Sequence, residues 1–211
     1  MNAMMASQIA QIVGGSLSGD DVLVTAGPFL KSSDVEQGGI FLAIRGEKAD
    51  GHDFVEDAFS HGALLAMTTR TVPQRHILVE DVTLALTSLA RYVRSELKDL
   101  KVIGITGSQG KTTTKDLLRH MLSQHGQTVA PLGNYNNELG VPLTLLACTS
   151  ETKYAVIEMG ARHSGDIAHL AAIAQPDIAV VLRVGMAHIG EFGSIETIAK
   201  TKSELISALS D

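Results

Sequence analysis

The sequence predicts an α/β protein: a small N-terminal α/β unit over residues 1–80, then a phosphate-loop domain with a mostly parallel sheet over 81–211. Two observations carry this. Short apolar runs alternate with segments of helical period along the chain, the pattern of strands wrapped by helices. A glycine-bearing turn also stands between one such run, Val102-Ile103-Gly104-Ile105, and a helical segment, the strand–turn–helix order of a phosphate-binding loop. At 211 residues, 45% hydrophobic and 19% charged, the chain has core enough to fold without staples.

The elements follow in order. Ser7 to Val13 puts Ile9, Ile12 and Val13 on one helical face, stopped by Gly14-Gly15. Val22–Val24 and Ile40–Ile44 read as strands, Phe54 to His61 as a helix ended by Gly62, and Ala63–Met67 and Ile77–Val79 as short strands. His52 and His61 flank that helix as caps. Leu86, Leu89, Ala90, Val93 and Leu97 recur at helical spacing. Beyond them come the strand 102–105, a helix over 112–124 with Leu117, Leu118, Met121 and Leu122 inward, and a strand at 128–130. A helix from about Pro142, the strand 154–157, the helix 166–174, the strand 178–184 and a helix over 194–209 complete the order. The last helix is followed by no further strand, so the second unit is expected to be incomplete.

Composition limits the function. A formal net charge of −6 argues against a nucleic-acid partner, which rewards basic faces. The longest apolar runs are broken by Arg183 or by glycines, which argues against membrane insertion. Cys148 is the only cysteine and reads as a buried apolar residue; with no basic-flanked leader at the N-terminus, a cytoplasmic location is expected. The GTPase signatures Asp-x-x-Gly and Asn-Lys-x-Asp do not occur, so a regulatory GTP switch has no support.

The candidate chemistry starts in the loop Gly107-Ser108-Gln109-Gly110-Lys111-Thr112-Thr113. Ile105 stands where the long phosphate-loop pattern has its first glycine, but the shorter Gly-x-x-Gly-Lys-Thr is intact. Backbone N–H groups at Gly107 and Gly110 can turn onto phosphates, Lys111 can reach the β and γ groups, and the Thr112 hydroxyl suits magnesium. The helix N-terminus adds partial positive charge beneath the same anion. Glu158 follows the strand 154–157 and His188 the strand 178–184, so both fall at carboxyl strand ends, where open α/β sheets bind ligands. Glu158 is then either a magnesium ligand or a solvated strand-end acid. Lys202 lies in an apolar face with Ile195, Ala199, Ile206 and Leu209. It either snorkels its ammonium to water or is paired or modified, and a carbamylated lysine would offer an anionic oxygen to a metal.

Four segments then point the same way: GSQGKTTT at 107–114, NYNNELGVPLTLL at 134–146, VIEMGARHSGDI at 156–167 and AHIGEFGSIETIAKTKSE at 187–204. In order and spacing they resemble the Mur ligases, and GGIFLAIRGEKADGHDFVEDAFSHGA at 38–63 is similar to that family's UDP-binding N-terminal domain. Within the family, Glu-Met-Gly-Ala at 158–161 is nearest the branch that adds D-alanyl-D-alanine to UDP-N-acetylmuramoyl-tripeptide. The resemblance implies an ATP-dependent amide ligase that works as a monomer, through an acyl phosphate and with two Mg2+ ions. It implies Lys111 on the γ-phosphate, Thr112, Glu158, His188 and a carbamylated Lys202 around magnesium, and Asn136 and Asn137 facing the muramoyl peptide. Ser32, Ser33 and Arg45 fall on the UDP-sugar side, although Lys31-Ser32-Ser33 replaces the family's usual Asp-Ser-Arg there. The family's adenine-contacting segment and C-terminal domain are not in the sequence, so the chain alone is expected not to form the amide. Other readings are a folylpolyglutamate-type amide ligase, which normally begins at the phosphate loop, and a UDP-sugar-binding module without catalysis.

Overall fold

The computed structural model describes residues 1–131, 133, 135–185 and 189–209. The chain divides into two compact units, Met1–Val93 and Arg94–Asp211. The division falls inside a helix and not near residue 80, because that helix (α3, Val82–Glu96) buries Val82, Ala85, Leu86, Leu89, Ala90 and Val93. Its Tyr92 hydroxyl also accepts from the Gln8 amide at 3.4 Å, so most of α3 belongs with the first unit.

The first unit begins with β1 (Met4–Met5), antiparallel to β3 (Leu23–Val24), and α1 (Ala6–Val13). A second sheet has the order β2-β7-β6-β5-β4, from β2 (Ser16–Ser18), β4 (Pro28–Phe29), β5 (Ile40–Leu42), β6 (Leu65–Thr68) and β7 (His76–Leu78). Its strands run parallel except β2, which pairs antiparallel with β7. Phe41 and Ala66 of this sheet pack with Val55 and Ala58 of α2 (Val55–Ser60). Each large apolar side chain so buried contributes about 1.5–3 kcal/mol.

Of the two histidines expected to cap α2, His61 does so, its Nδ1 donating to the Asp57 carbonyl at 2.8 Å. His52 does something else. It is buried, with Nδ1 2.6 Å from Asp50 Oδ1 and Nε2 accepting the Thr69 N–H at 3.0 Å, so it ties the turn before α2 to the loop after β6. The His52 backbone N–H and ring together hold the Asp50 carboxyl below its usual range.

The second unit is a four-stranded parallel sheet in the order β11-β8-β10-β9, from β8 (Lys101–Thr106), β9 (Gln127–Val129), β10 (Thr152–Glu158) and β11 (Ile178–Val181). Strand alternation sends Ile103 and Ile105 to one face, where Leu118 and Leu122 of α4 (Lys111–Leu122) cover them. Gly104, between them, faces the other way. A Cβ there would stand 3.0 Å from Leu205 of α8 (Ile195–Ser207), so the glycine lets that helix lie close to the strand. Helices α5 (Gly140–Leu146), α6 (Asp166–Ala174) and the short α7 (Ile189–Phe192) complete the unit.

Two sequence expectations about inward faces need correction. Leu117 and Met121 are 59% and 61% exposed, because the buried stripe of α4 runs through Lys115, Leu118 and Leu122 at i, i+3, i+7. On α8 the buried stripe is Ile198, Thr201, Lys202 and Leu205, whereas Ile195 and Ile206 are exposed. Lys202 is inward as expected, but with different neighbours. Cys148 is fully buried, which pushes its thiol up to about 12. Among the described residues no helix is long and apolar enough to cross a membrane.

Candidate active site

The phosphate loop leaves the carboxyl end of β8, a central strand flanked by β11 and β10. Gly107 must be glycine because a Cβ there would meet Leu182 Cβ at 2.7 Å. Gly110 sits in the left-handed region, φ 84°, immediately before α4 begins at Lys111. Ser108 pins the loop to the segment after β11: its N–H donates to the Arg183 carbonyl at 2.9 Å, and its hydroxyl lies between the Gly185 carbonyl (3.0 Å) and N–H (2.9 Å). The Lys111 ammonium donates to the Gly107 carbonyl at 2.9 Å, folding back over the loop it would serve. Gln109 and Thr113 are exposed.

Glu158 ends β10, next to β8, and the residue is 1% exposed. One oxygen accepts the Thr112 hydroxyl at 2.9 Å; the other accepts the Asn136 amide at 2.9 Å. Neither partner carries charge, and among the described residues no cation pairs with it. A buried carboxylate held only by neutral donors is costly, and a bound cation would relieve that cost. Asn136 is in turn fixed by its backbone carbonyl, which accepts the Gly160 N–H at 2.8 Å. Gly160 has no room for a Cβ, which would approach Asn136 Oδ1 to 2.8 Å. Asn137 also has a structural contact: its side-chain oxygen accepts the Gly140 N–H at 3.0 Å at the start of α5.

In front of these groups lies a cavity of about 740 Å³. It brings together Gly107, Lys111, Asn136, Asn137 and Lys202, all foreseen from the sequence. Lys202 is 5% exposed. Burial, with the Lys111 charge second, lowers its pKa from the ordinary lysine value. Its helix is held in register by Glu204, whose two carboxylate oxygens accept the Gly165 and Ala168 N–H groups at 2.8 and 3.0 Å. That tertiary cap satisfies amides at the start of α6 which the helix itself leaves open. His188 lies outside the described residues. Among those residues no three of His, Cys, Asp and Glu cluster as a ready-made metal site.

The family comparison decides what this arrangement belongs to. The description "Mur ligase middle domain" matches residues 105–211, the loop, Glu158 and Lys202 included, and "Mur ligase family, catalytic domain" matches residues 29–94. The chain belongs to the Mur ligase family.

As a Mur ligase it is 43% identical to the UDP-N-acetylmuramoyl-tripeptide–D-alanyl-D-alanine ligase of Mycobacterium bovis, over 99% of this chain and 47% of that protein. It is 38% identical to the ligase of that name from Escherichia coli, over 99% of this chain and 46% of the relative. The crystal structure of MurF from Acinetobacter baumannii superposes with a TM-score of 0.90 at 37% identity, covering 100% of this chain and 47% of that one. MurF from Thermotoga maritima in complex with ADP gives 0.77 at 41% identity, covering 89% and 44%. The chain thus spans about half the length of the curated relatives it matches.

In the first unit, Ser32 and Ser33 line a separate groove of about 610 Å³ with Lys31, Phe41, Lys48 and Phe54. Arg45 does not line that groove; it is bridged to Asp50 through the backbone. The cavity of the second unit also has walls that motif reading did not assign. Arg162, His163, Asp166 and His169 line it, as do Tyr135 and Glu138. The Asp166 carboxylate accepts the Arg162 and His163 N–H groups at 2.8 Å each, which shapes that wall. Lys115 was missed as well. Its signal was there, since it falls on the apolar stripe of α4 as Lys202 does on α8.

Proposed function

We propose that the chain is the substrate- and ATP-binding half of an ATP-dependent amide ligase. In this reading it joins D-alanyl-D-alanine to UDP-N-acetylmuramoyl-tripeptide in cytoplasmic peptidoglycan precursor synthesis, as a monomer. The observation that carries the reading is Glu158, a buried carboxylate with no described cation partner, hydrogen-bonded to the phosphate-loop Thr112 beside a cavity that holds Lys111 and Lys202. Similarity to ligases of that name over nearly the whole chain supports the substrate assignment.

The chemistry is the one that the family resemblance implies, and these groups suit it. A substrate carboxylate attacks the γ-phosphorus of ATP and ADP leaves, giving an acyl phosphate; the D-alanyl-D-alanine amine then attacks that carbonyl, phosphate leaves and the amine loses its proton. Negative charge gathers on the transferring phosphoryl group, where Lys111 and the loop N–H groups would stabilise it. Magnesium, held by Glu158 and Thr112 with His188 and a carbamylated Lys202, would neutralise phosphate oxygens. Burial favours the uncharged form of Lys202, the form from which a carbamate is made. Ser32 and Ser33 would meet the uridine diphosphate end in the first unit, and Asn136, Asn137, Arg162 and His163 the peptide end.

Titrating the chain separately with Mg-ATP and with UDP-N-acetylmuramoyl-tripeptide tests this. Saturable binding of both is the expected result. Binding of the UDP compound without ATP would replace the reading with that of a non-catalytic sugar-nucleotide module.

A further inference from the structure

Lys115 has no place in the chemistry above, yet it is the most deeply buried charged side chain on α4, with the residue 1% exposed. Its ammonium donates to the Pro131 carbonyl at 2.8 Å and the Gly133 carbonyl at 2.9 Å, and lies 3.3 Å from an Asp116 carboxylate oxygen. The carbonyls it holds belong to the segment that, three residues past Gly133, delivers Asn136. Asn136 holds one oxygen of Glu158, and Thr112 holds the other. Thr112 and Lys115 are one turn apart on the same helix.

The contacts therefore close a ring: α4 through Lys115 to the 131–133 carbonyls, along the chain to Asn136, across to Glu158, and back to α4 through Thr112. Among the described residues, the Lys115 bonds are the direct hydrogen bonds from α4 to the segment that leads into Asn136; the other link, through Thr112, runs by way of Glu158 itself. Both donors must sit still for the carboxylate to keep one orientation. An apolar residue at this stripe position would fill the space and leave two carbonyls without their charged donor.

We propose that Lys115 is a positioning residue for the metal-binding carboxylate, acting through the Pro131 and Gly133 carbonyls it holds and through Asn136. This rests on the reading of Glu158 as a magnesium ligand. The ring itself is tested without metal, by amide exchange on the chain and its Lys115→Met and Lys115→Arg variants. The Gly160 N–H, bonded to the Asn136 carbonyl, reports on the ring; the Val156 N–H, in the middle of β10, reports on the fold. In the Met variant Gly160 is expected to exchange at least about tenfold faster with Val156 unchanged, and Arg, which can donate to both carbonyls, restores protection. Unchanged Gly160 protection in the Met variant overturns the proposal. Should the Met variant fail to fold, Lys115→Gln is judged by the same two amides.

The consequence for the metal is read by titrating Mn2+ with ADP present. The Met variant should bind Mn2+ about tenfold more weakly while its metal-free ADP affinity holds. Equal Mn2+ affinity in variant and wild type would sink the positioning role. Absence of Mn2+ binding by the wild type would count against the proposed function instead, and the exchange result would still decide the ring.

Discussion

Glu158→Gln is expected to leave the chain folded and at least as stable, while weakening its magnesium-dependent nucleotide binding by about a hundredfold. The two effects have opposite signs for one reason. The carboxylate is buried with only a hydroxyl and an amide as partners, so its charge is a burden on the metal-free fold. Glutamine has the same shape, and the network can re-form around it: the Asn136 amide turns its oxygen to meet the new NH2, and the Thr112 hydroxyl still donates. Removing the buried charge should be neutral or raise stability by about 1–3 kcal/mol. A metal ion, by contrast, needs the charge. Thermal denaturation without metal and nucleotide titration with and without Mg2+ separate the two. A Gln variant that is clearly less stable, with its magnesium dependence intact, would mean that Glu158 is structural.

Lys111→Ala carries the second large effect. Lys111 is the first residue of α4, and among the described residues its ammonium donates to the Gly107 carbonyl of its own loop. Little of the fold depends on it, so the stability change should stay within about 0.5 kcal/mol. Phosphate binding should depend on it heavily. A charge-assisted contact in a partly closed cavity is worth about 1.5–3 kcal/mol, so ATP affinity should fall by roughly 10- to 100-fold. Lys111→Arg should not recover it, because the planar fork does not fit where a point charge is cradled by loop amides. Full retention of ATP affinity in the Ala variant would show that nucleotide binds elsewhere.

Much of the candidate site was legible because its signals are local. Gly107 and Gly110 with Lys111 and Thr112, a carboxylate at the end of β10, and a lysine on an apolar helical stripe can each be read from a few neighbouring residues. The structure joins them through contacts between positions far apart in sequence, such as Thr112 to Glu158 and Asn136 to Glu158. Those partners have no period or spacing that announces them. Element types were legible over most of the second unit, the short α7 excepted, since parallel strands in a covered sheet give continuous apolar runs. The inward faces of α4 and α8 were less so. Four apolar residues on α4 span more than one face, and only packing on Ile103, Ile105 and Val156 selects Leu118 and Leu122 over Leu117 and Met121. The limit between the units was misplaced for a similar reason, because the pattern that marks α3 as a helix does not say which core its buried face joins.

The central claim is that Glu158 and Thr112 form a metal site at the phosphate loop. Crystals of the chain grown with ADP and Mn2+ test it most directly, through the anomalous signal of manganese. A peak is expected within coordination distance of both the Glu158 carboxylate and the Thr112 hydroxyl, with the nucleotide phosphates on its other side. Nucleotide in the loop with manganese bound elsewhere, or with the Thr112–Glu158 hydrogen bond undisturbed and no manganese beside it, would contradict it.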